Sequence, residues 1–147
     1  MARVVKFRAK IIREGRYDGK WIYGNLHQDL RDTDENFIFP LHANGRRVDY
    51  KTVGEWTGLK DKDGKEIYEG DIVECVSWNE YFSDGSGKPM EPFRRKMFVD
   101  FRKGGFKMVE PMPEPMKDNE WDIIFNGDIV VVGNIHDNPE MIDMKRI

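Results

Sequence analysis

Apolar and polar residues alternate from Val4 to Ile12. Val5, Phe7, Ala9 and Ile11 fall on one side, and Lys6, Arg8 and Lys10 on the other. A period of two is that of a half-buried strand. A loop through Gly15 and Asp18-Gly19 separates this strand from Trp21-Ile22-Tyr23-Gly24 and Leu26, which read as its hairpin partner. Phe37-Ile38-Phe39 is a short strand ended by Pro40, and Asn44-Gly45 is a hairpin turn before Arg47-Val48-Asp49-Tyr50.

The central stretch, Thr52 to Ser77, reads as strand, turn, extended link, turn, strand. Thr52, Val53 and Trp56 favour a strand, with Gly54 and Gly58 expected to mark a bulge and a stop. Asp61-Lys62-Asp63-Gly64 is a turn, because Asp side chains bond nearby backbone and Gly accepts positive φ. Glu69-Gly70-Asp71 makes a second turn, and Ile72 to Val76 a buried strand.

Residues 79–93, with Asp84-Gly85-Ser86-Gly87 and two prolines, read as a long mobile loop. Lys96 to Phe101 and Phe106 to Val109 flank Gly104-Gly105, a further hairpin. Glu110 to Pro115 is expected to be a stiff extended linker, followed by a short apolar segment from Trp121 to Phe125. Gly127-Asp128 turns the chain into Ile129 to Val132, the most hydrophobic run and the expected central or closing strand. Asn138-Pro139-Glu140 fits the start of a helix of a turn or two, with Asn138 as N-cap and Pro139 in the first position. Gly-Asp-Ile-Val occurs at Gly70 and again at Gly127. It is read as a recurring turn-to-strand sequence rather than a duplication.

Composition narrows the picture. A chain of 147 residues is one ordinary domain, or two small β units sharing a core. Charged residues make up 35% and hydrophobic ones 39%, with four Trp, nine Phe and five Tyr to build a core. The net charge of -3 argues against a globally basic nucleic-acid binder but leaves room for a local patch. The single cysteine excludes an internal disulfide framework and fits a reducing compartment. Cations interrupt the N-terminal apolar residues, so no signal peptide or membrane span is read, and a cytoplasmic protein is expected.

The run from Thr57 to Val73 (Thr-Gly-Leu-Lys-Asp-Lys-Asp-Gly-Lys-Glu-Ile-Tyr-Glu-Gly-Asp-Ile-Val) closely resembles the signature of the YopX family, small proteins of bacteriophages and prophages. Val5 to Ala9, Lys20 to Gly24 and Val132 to Glu140 match in the same order, so the resemblance spans nearly the whole chain. It implies a mainly β fold of antiparallel hairpins with an SH3-like small barrel in the C-terminal part and very little helix. It implies no activity and supplies no catalytic residues. The expected organisation is an N-terminal β-hairpin subdomain at 1–57 and a C-terminal SH3-like subdomain at 58–147, meeting near Gly58 in one compact unit.

Candidate chemistry is sparse. A catalytic cysteine needs a thiolate beside a base, whereas Cys75 lies in a strand pattern between valines and reads as a small buried hydrophobe. His27, His42 and His136 fall in separate segments with no pair at metal-ligand spacing. Asp61 to Gly64 is not a calcium loop, since Leu59 and Gly70 stand where oxygen ligands are needed. Asp29, Asp32, Asp34 and Glu35 lack an ordered ligand spacing and read as a solvated acidic loop. No Gly-rich phosphate loop precedes a helix, and no carboxylate pair stands out as an acid/base set. No cofactor and no metal are expected.

One feature points to binding. Arg94, Arg95, Lys96, Arg102 and Lys103, with Lys88, are interleaved with Phe93, Phe98, Phe101 and Phe106. Cations and aromatics on one sheet can hold single-stranded nucleic acid. Against this, Glu110 to Asp128 holds six acids and only Lys117, so pairing with that segment, within or between chains, or plain solvation is favoured. Two readings follow. The first is a non-enzymatic phage or prophage accessory protein, a β scaffold that binds a host or phage protein or forms a homo-oligomer. Its contacts would run through loops near Met90, Met112 and Met116. The second, less favoured, is a nucleic-acid-binding β-barrel acting in phage replication or transcription. An enzyme is a distant third.

Overall fold

The computed structural model describes residues 3–28, 36–39, 45–77, 93–123 and 129–142. Among these residues the fold is mainly antiparallel β, joined by turns and single 3-10 turns. It forms two compact units: Met1–Leu59 with Glu66–Gly70, and Lys60–Lys65 with Asp71–Ile147. None of the described helices is long and apolar enough to cross a membrane.

The first unit contains β1 (Phe7–Lys10), β2 (Trp21–Gln28), β3 (Asn36–Phe39), β4 (Arg46–Val48), β5 (Gly54–Lys60) and β6 (Glu66–Tyr68). They form one sheet in the order β4-β3-β2-β1-β5-β6. Ala9 faces Ile22 across the first hairpin, and the alternation in the sequence places Ala9 in the core. Ala9 and Val48 are buried together, with Phe7, Ile22, Leu26 and Val53 packed against them. The Ile12 amide donates to the Arg47 carbonyl (3.0 Å) and the Asp49 amide to the Lys10 carbonyl (2.9 Å), so β4 returns to the end of β1.

Three details of this unit differ from the sequence reading. Arg8, expected in solvent, is only 6% exposed. Its guanidinium lies 4.7 Å from the Trp21 ring centroid and 5.0 Å from that of Tyr68, where the planar cation stacks on aromatic faces. Tyr50–Thr52 is a 3-10 turn rather than the start of a strand, because the Asp49 carboxylate accepts the Lys51 amide and the Thr52 hydroxyl donates to the Asp49 carbonyl. Gly58 does not stop β5, which runs on to Lys60 with Gly58 at φ +84°. Gly54 serves a close approach: a Cβ there would sit 2.4 Å from the Glu69 carbonyl oxygen.

The second unit contains β7 (Asp71–Ser77), β8 (Phe93–Arg102), β9 (Gly105–Glu110), β10 (Asn119–Asp122) and β11 (Ile129–Asn134), in the order β10-β9-β8-β7-β11. Ile72, Phe98 and Val109 line up across β7, β8 and β9. With Ile142 they form a buried cluster against which Val132, Ile135 and Met141 pack. Val73, Met97, Val99 and Met108, on the other side of the same strands, are also buried. This double burial accounts for the short apolar runs Ile72-Val73, Met97-Phe98-Val99 and Met108-Val109 within these strands.

The Ile129–Val132 run is an edge strand and not a central one. It pairs with β7 on one side. Its other side is taken by the 61–65 turn, through Lys62 N–H to the Ile129 carbonyl and Val131 N–H to the Asp61 carboxylate. The stretch from Glu110 to Pro115 is not an extended spacer. The Met116 amide donates to the Pro113 carbonyl (3.0 Å), and the chain reverses so that β10 pairs with β9. Among the described residues these pairings put β10 and β11 at the two ends of the sheet, and an SH3-like closure is not among them.

The expected helix at Asn138 is a single 3-10 turn, Pro139–Met141, with Pro139 in its first position. Asn138 does not cap it, because its side-chain oxygen accepts the Asn134 amide instead (3.2 Å). The acidic run 29–35, the turn at Asn44, the loop over 79–92 and the turn at Gly127-Asp128 lie outside the described residues.

Candidate functional site

The β8–β9 hairpin carries the five cations singled out by the sequence. It turns at Lys103 and Gly104, with φ of +53° and +80°, the pair of left-handed residues that a type I′ turn requires. The strands are joined by the register Phe101–Phe106 and Arg102–Gly105. Reversal of the chain after β9 then sets β10 alongside and brings acidic side chains to the hairpin.

Arg102 is the centre of the resulting ion-pair network. Its guanidinium lies 2.9 Å from Asp100, 3.1 Å from Glu120 and 3.5 Å from Asp118. Burial alone would lower the Arg102 pKa, but donation to Asp100 and Glu120 outweighs it and holds the group further into its charged form. Lys103 reaches the other Glu120 oxygen at 3.1 Å. Hydrogen bonds from Arg102 and Lys103 in turn depress the Glu120 carboxyl. Arg94 pairs with Glu74 at 2.9 Å. Arg95 lies 3.9 Å from Glu110 and 5.6 Å from the Trp121 ring centroid. Lys96 is exposed, in register with Glu74.

The aromatics of the hairpin are divided. Phe98 is in the core, Phe106 is half-buried, and Phe101 is 51% exposed, meeting Phe106 edge-on at 5.3 Å. Beside the hairpin tip lies an open groove of about 640 Å³, formed by Arg102 and Lys103 together with residues 116–120. Its walls carry both signs of charge, and Met116 is exposed at its rim. Such a surface suits a partner of mixed charge better than a polyanion, because the cations already face carboxylates.

A second constellation lies in the stretch resembling the family signature. Asp61 is buried, and its carboxylate accepts the amides of Asp63 (2.9 Å), Lys65 (2.9 Å) and Val131 (3.0 Å). Burial pushes this carboxyl up, but the hydrogen bonds from Val131, Lys65 and Asp63 prevail and hold it below the usual aspartate range. Near the C-terminus, the Asn134 side-chain oxygen accepts the His136 and Asp137 amides at 3.0 and 2.9 Å. The Asn138 amide donates to the Asn134 carbonyl (2.8 Å). Both constellations satisfy backbone groups within their own unit.

Cys75 is buried and in no disulfide, in register with Arg95 and Ile129. Among the described residues, no group of three or more His, Cys, Asp or Glu is placed to hold a metal ion.

These features coincide with the regions that a family comparison matches. The model described as YopX protein covers residues 6–143. The chain belongs to the YopX family. The family-like stretches at Thr57–Val73 and Val132–Glu140 are thus the places where Asp61 and Asn134 organise the backbone. Among solved structures, the chain is similar to one titled "Crystal structure of protein EF1440 from Enterococcus faecalis", with a TM-score of 0.52 and 23% identity, covering 95% of this chain and 99% of that one. At that identity the likeness is one of fold. No curated protein matches the chain.

Proposed function

We propose that this YopX-family chain is a non-enzymatic accessory protein of phage or prophage origin, acting in the bacterial cytoplasm as a β scaffold. It binds another protein, or a second copy of itself, along the hairpin tip and the adjoining β10. The observation that carries this reading is the cage of Asp100, Asp118 and Glu120 around Arg102. It fixes the groove wall and leaves both donors and acceptors for a polypeptide, while Met116 offers an adaptable apolar contact. The perturbed carboxyls support a structural rather than catalytic role. Asp61, Glu14 and Glu120 are all shifted downward by amide or cation donors, whereas a general acid or base working near neutrality needs a carboxyl shifted up.

Sedimentation of the purified chain, alone and with host or phage proteins, tests this reading. Concentration-dependent association, or a defined complex, that is abolished in Met116→Glu would support it. A chain that stays monomeric at high micromolar concentration and retains no protein would overturn it. The nucleic-acid reading of the hairpin is less favoured, since Arg94, Arg102 and Lys103 already face carboxylates.

A further inference from the structure

The cations and aromatics expected at the 94–103 hairpin are assembled more fully in the first unit. On β1 and the residue before it, the side opposite Ala9 carries Lys6, Arg8 and Lys10. Register sets Tyr23 across from Arg8 and Trp21 across from Lys10. The Trp56 amide donates to the Lys6 carbonyl at 2.9 Å, which brings β5 and its indole alongside. The outcome is one sheet face with Lys6 4.5 Å from the Trp56 ring centroid, Arg8 4.7 Å and Lys10 5.5 Å from that of Trp21. Tyr23 is 48% exposed, its ring held edge-on by Tyr68 at 5.5 Å. At the hairpin loop, Tyr17 is approached by Arg46, Arg16 and Lys20 at 4.3, 4.9 and 5.6 Å.

The charge of this region differs from that of the chain. From Arg3 to Gln28 stand seven Lys and Arg residues and two carboxylates, Glu14 and Asp18, in a protein whose net charge is -3. Among the described residues, Glu66 pairs with Lys6 and accepts from the Tyr68 hydroxyl, Glu55 of β5 pairs with Arg3, and Glu14 pairs with Arg46 at the hairpin loop.

We infer that the outer face of the β1–β2–β5 sheet binds single-stranded nucleic acid, with Tyr23, Trp21 and Trp56 as stacking platforms and Lys10, Lys20 and Arg16 on the phosphates. Tyr23 is the exposed platform, whereas Trp21 and Trp56 are half-buried and offer a base only part of their rings. Trp21 and Tyr23 sit two residues apart on one strand, roughly 7 Å, which suits bases splayed from one another rather than a stacked duplex. This site is separate from the protein-binding groove proposed above, and its variants lie in the other unit.

The test is fluorescence anisotropy of the full chain with labelled oligo-dT, oligo-U and a duplex of equal length, at low and near-physiological salt. The expected result is tighter binding of single strands, weakening steeply with salt. Tyr23→Ala should lower affinity about tenfold or more, the scale on which alanine in place of a stacked aromatic weakens single-strand binding. Tyr23→Phe should retain it. Lys20→Glu should weaken binding and flatten the salt slope, while Lys96→Glu in the second unit should leave affinity within about twofold. Thermal unfolding of each variant separates a binding defect from a folding defect. The inference is overturned by any of three results: no binding at low salt, duplex preferred over single strands, or poly-glutamate competing as well as unlabelled oligo-dT. The last would mark a surface for acidic protein segments.

Discussion

The carboxylate of Asp61 accepts the amide of Val131 at 3.0 Å, joining residues 70 positions apart in sequence. With the Lys62 amide bonded to the Ile129 carbonyl, this hydrogen bond covers the side of β11 away from β7, and an open strand edge is an invitation to unwanted pairing. The same side chain closes its own turn through Asp63 and Lys65. Asp61 is thus a fastener between a turn and a strand, and its removal leaves the buried Val131 amide without this acceptor.

Asp61→Asn retains the shape but turns one acceptor oxygen into a donor. It is expected to destabilise the fold by about 1–3 kcal/mol, the cost of a buried amide left unpaired. Asp61→Ala, which abandons all three amides, should cost more. Urea unfolding measures both, and an unchanged midpoint in Asp61→Ala would remove the fastener role.

The depressed pKa of Asp61 predicts a direction for pH dependence. The unfolded chain binds the proton more readily than the folded one, so the contribution is complete above the ordinary aspartate value of 3.8 and is lost as pH falls through the lower folded value. Urea midpoints of the native chain should therefore fall below about pH 4. The fall should be shallower in Asp61→Asn, which has no carboxyl to protonate. Equal slopes in the two proteins would contradict the assignment.

Two glycines offer a matched comparison. At Gly54 an added methyl would sit 2.4 Å from the Glu69 carbonyl oxygen, a backbone atom that cannot swing away. Gly54→Ala is expected to cost about 1–3 kcal/mol through forced backbone shifts. Gly105 has nothing within 4 Å of its would-be Cβ, so Gly105→Ala should be neutral or stabilise by up to about 1 kcal/mol. Thermal denaturation of the pair reads the contrast directly.

Lys103 holds φ at +53° in the hairpin turn, a conformation that costs a lysine more than an asparagine. Lys103→Asn creates the Asn-Gly pair preferred in type I′ turns and should stabilise the fold by roughly 0.5–1 kcal/mol. Removing the ion pair with Glu120 offsets little, because the Lys103 side chain is 78% exposed. A lowered melting temperature would show that the ion pair outweighs the backbone gain.

Much of this architecture is legible from local pattern. The alternation around Ala9 and the Gly-rich turn after Arg102 announce β1, β8 and β9, since side-chain period and positive-φ turns are properties of neighbouring residues. The Asp61 turn is likewise written in its own five residues. The sites are less legible. Lys6, Arg8 and Lys10 read as a solvated strand face because their aromatic partners, Trp21, Trp56 and Tyr68, come from other strands. The signal that would have found them is the cation excess between Arg3 and Gln28 set against the aromatics of β2.

Local sequence was therefore enough for the mainly β class, the principal hairpins, the turn at Asp61 and the YopX membership. Three features came only with the folded arrangement: Ile129–Asn134 lies at an edge, Arg8 is buried between rings, and Arg102 is caged by Asp118 and Glu120. The physical reason is range. Alternation and turn chemistry act over a few residues, whereas the partner of a strand edge or a buried charge is chosen by which distant segment the pairing register brings within about 3–4 Å.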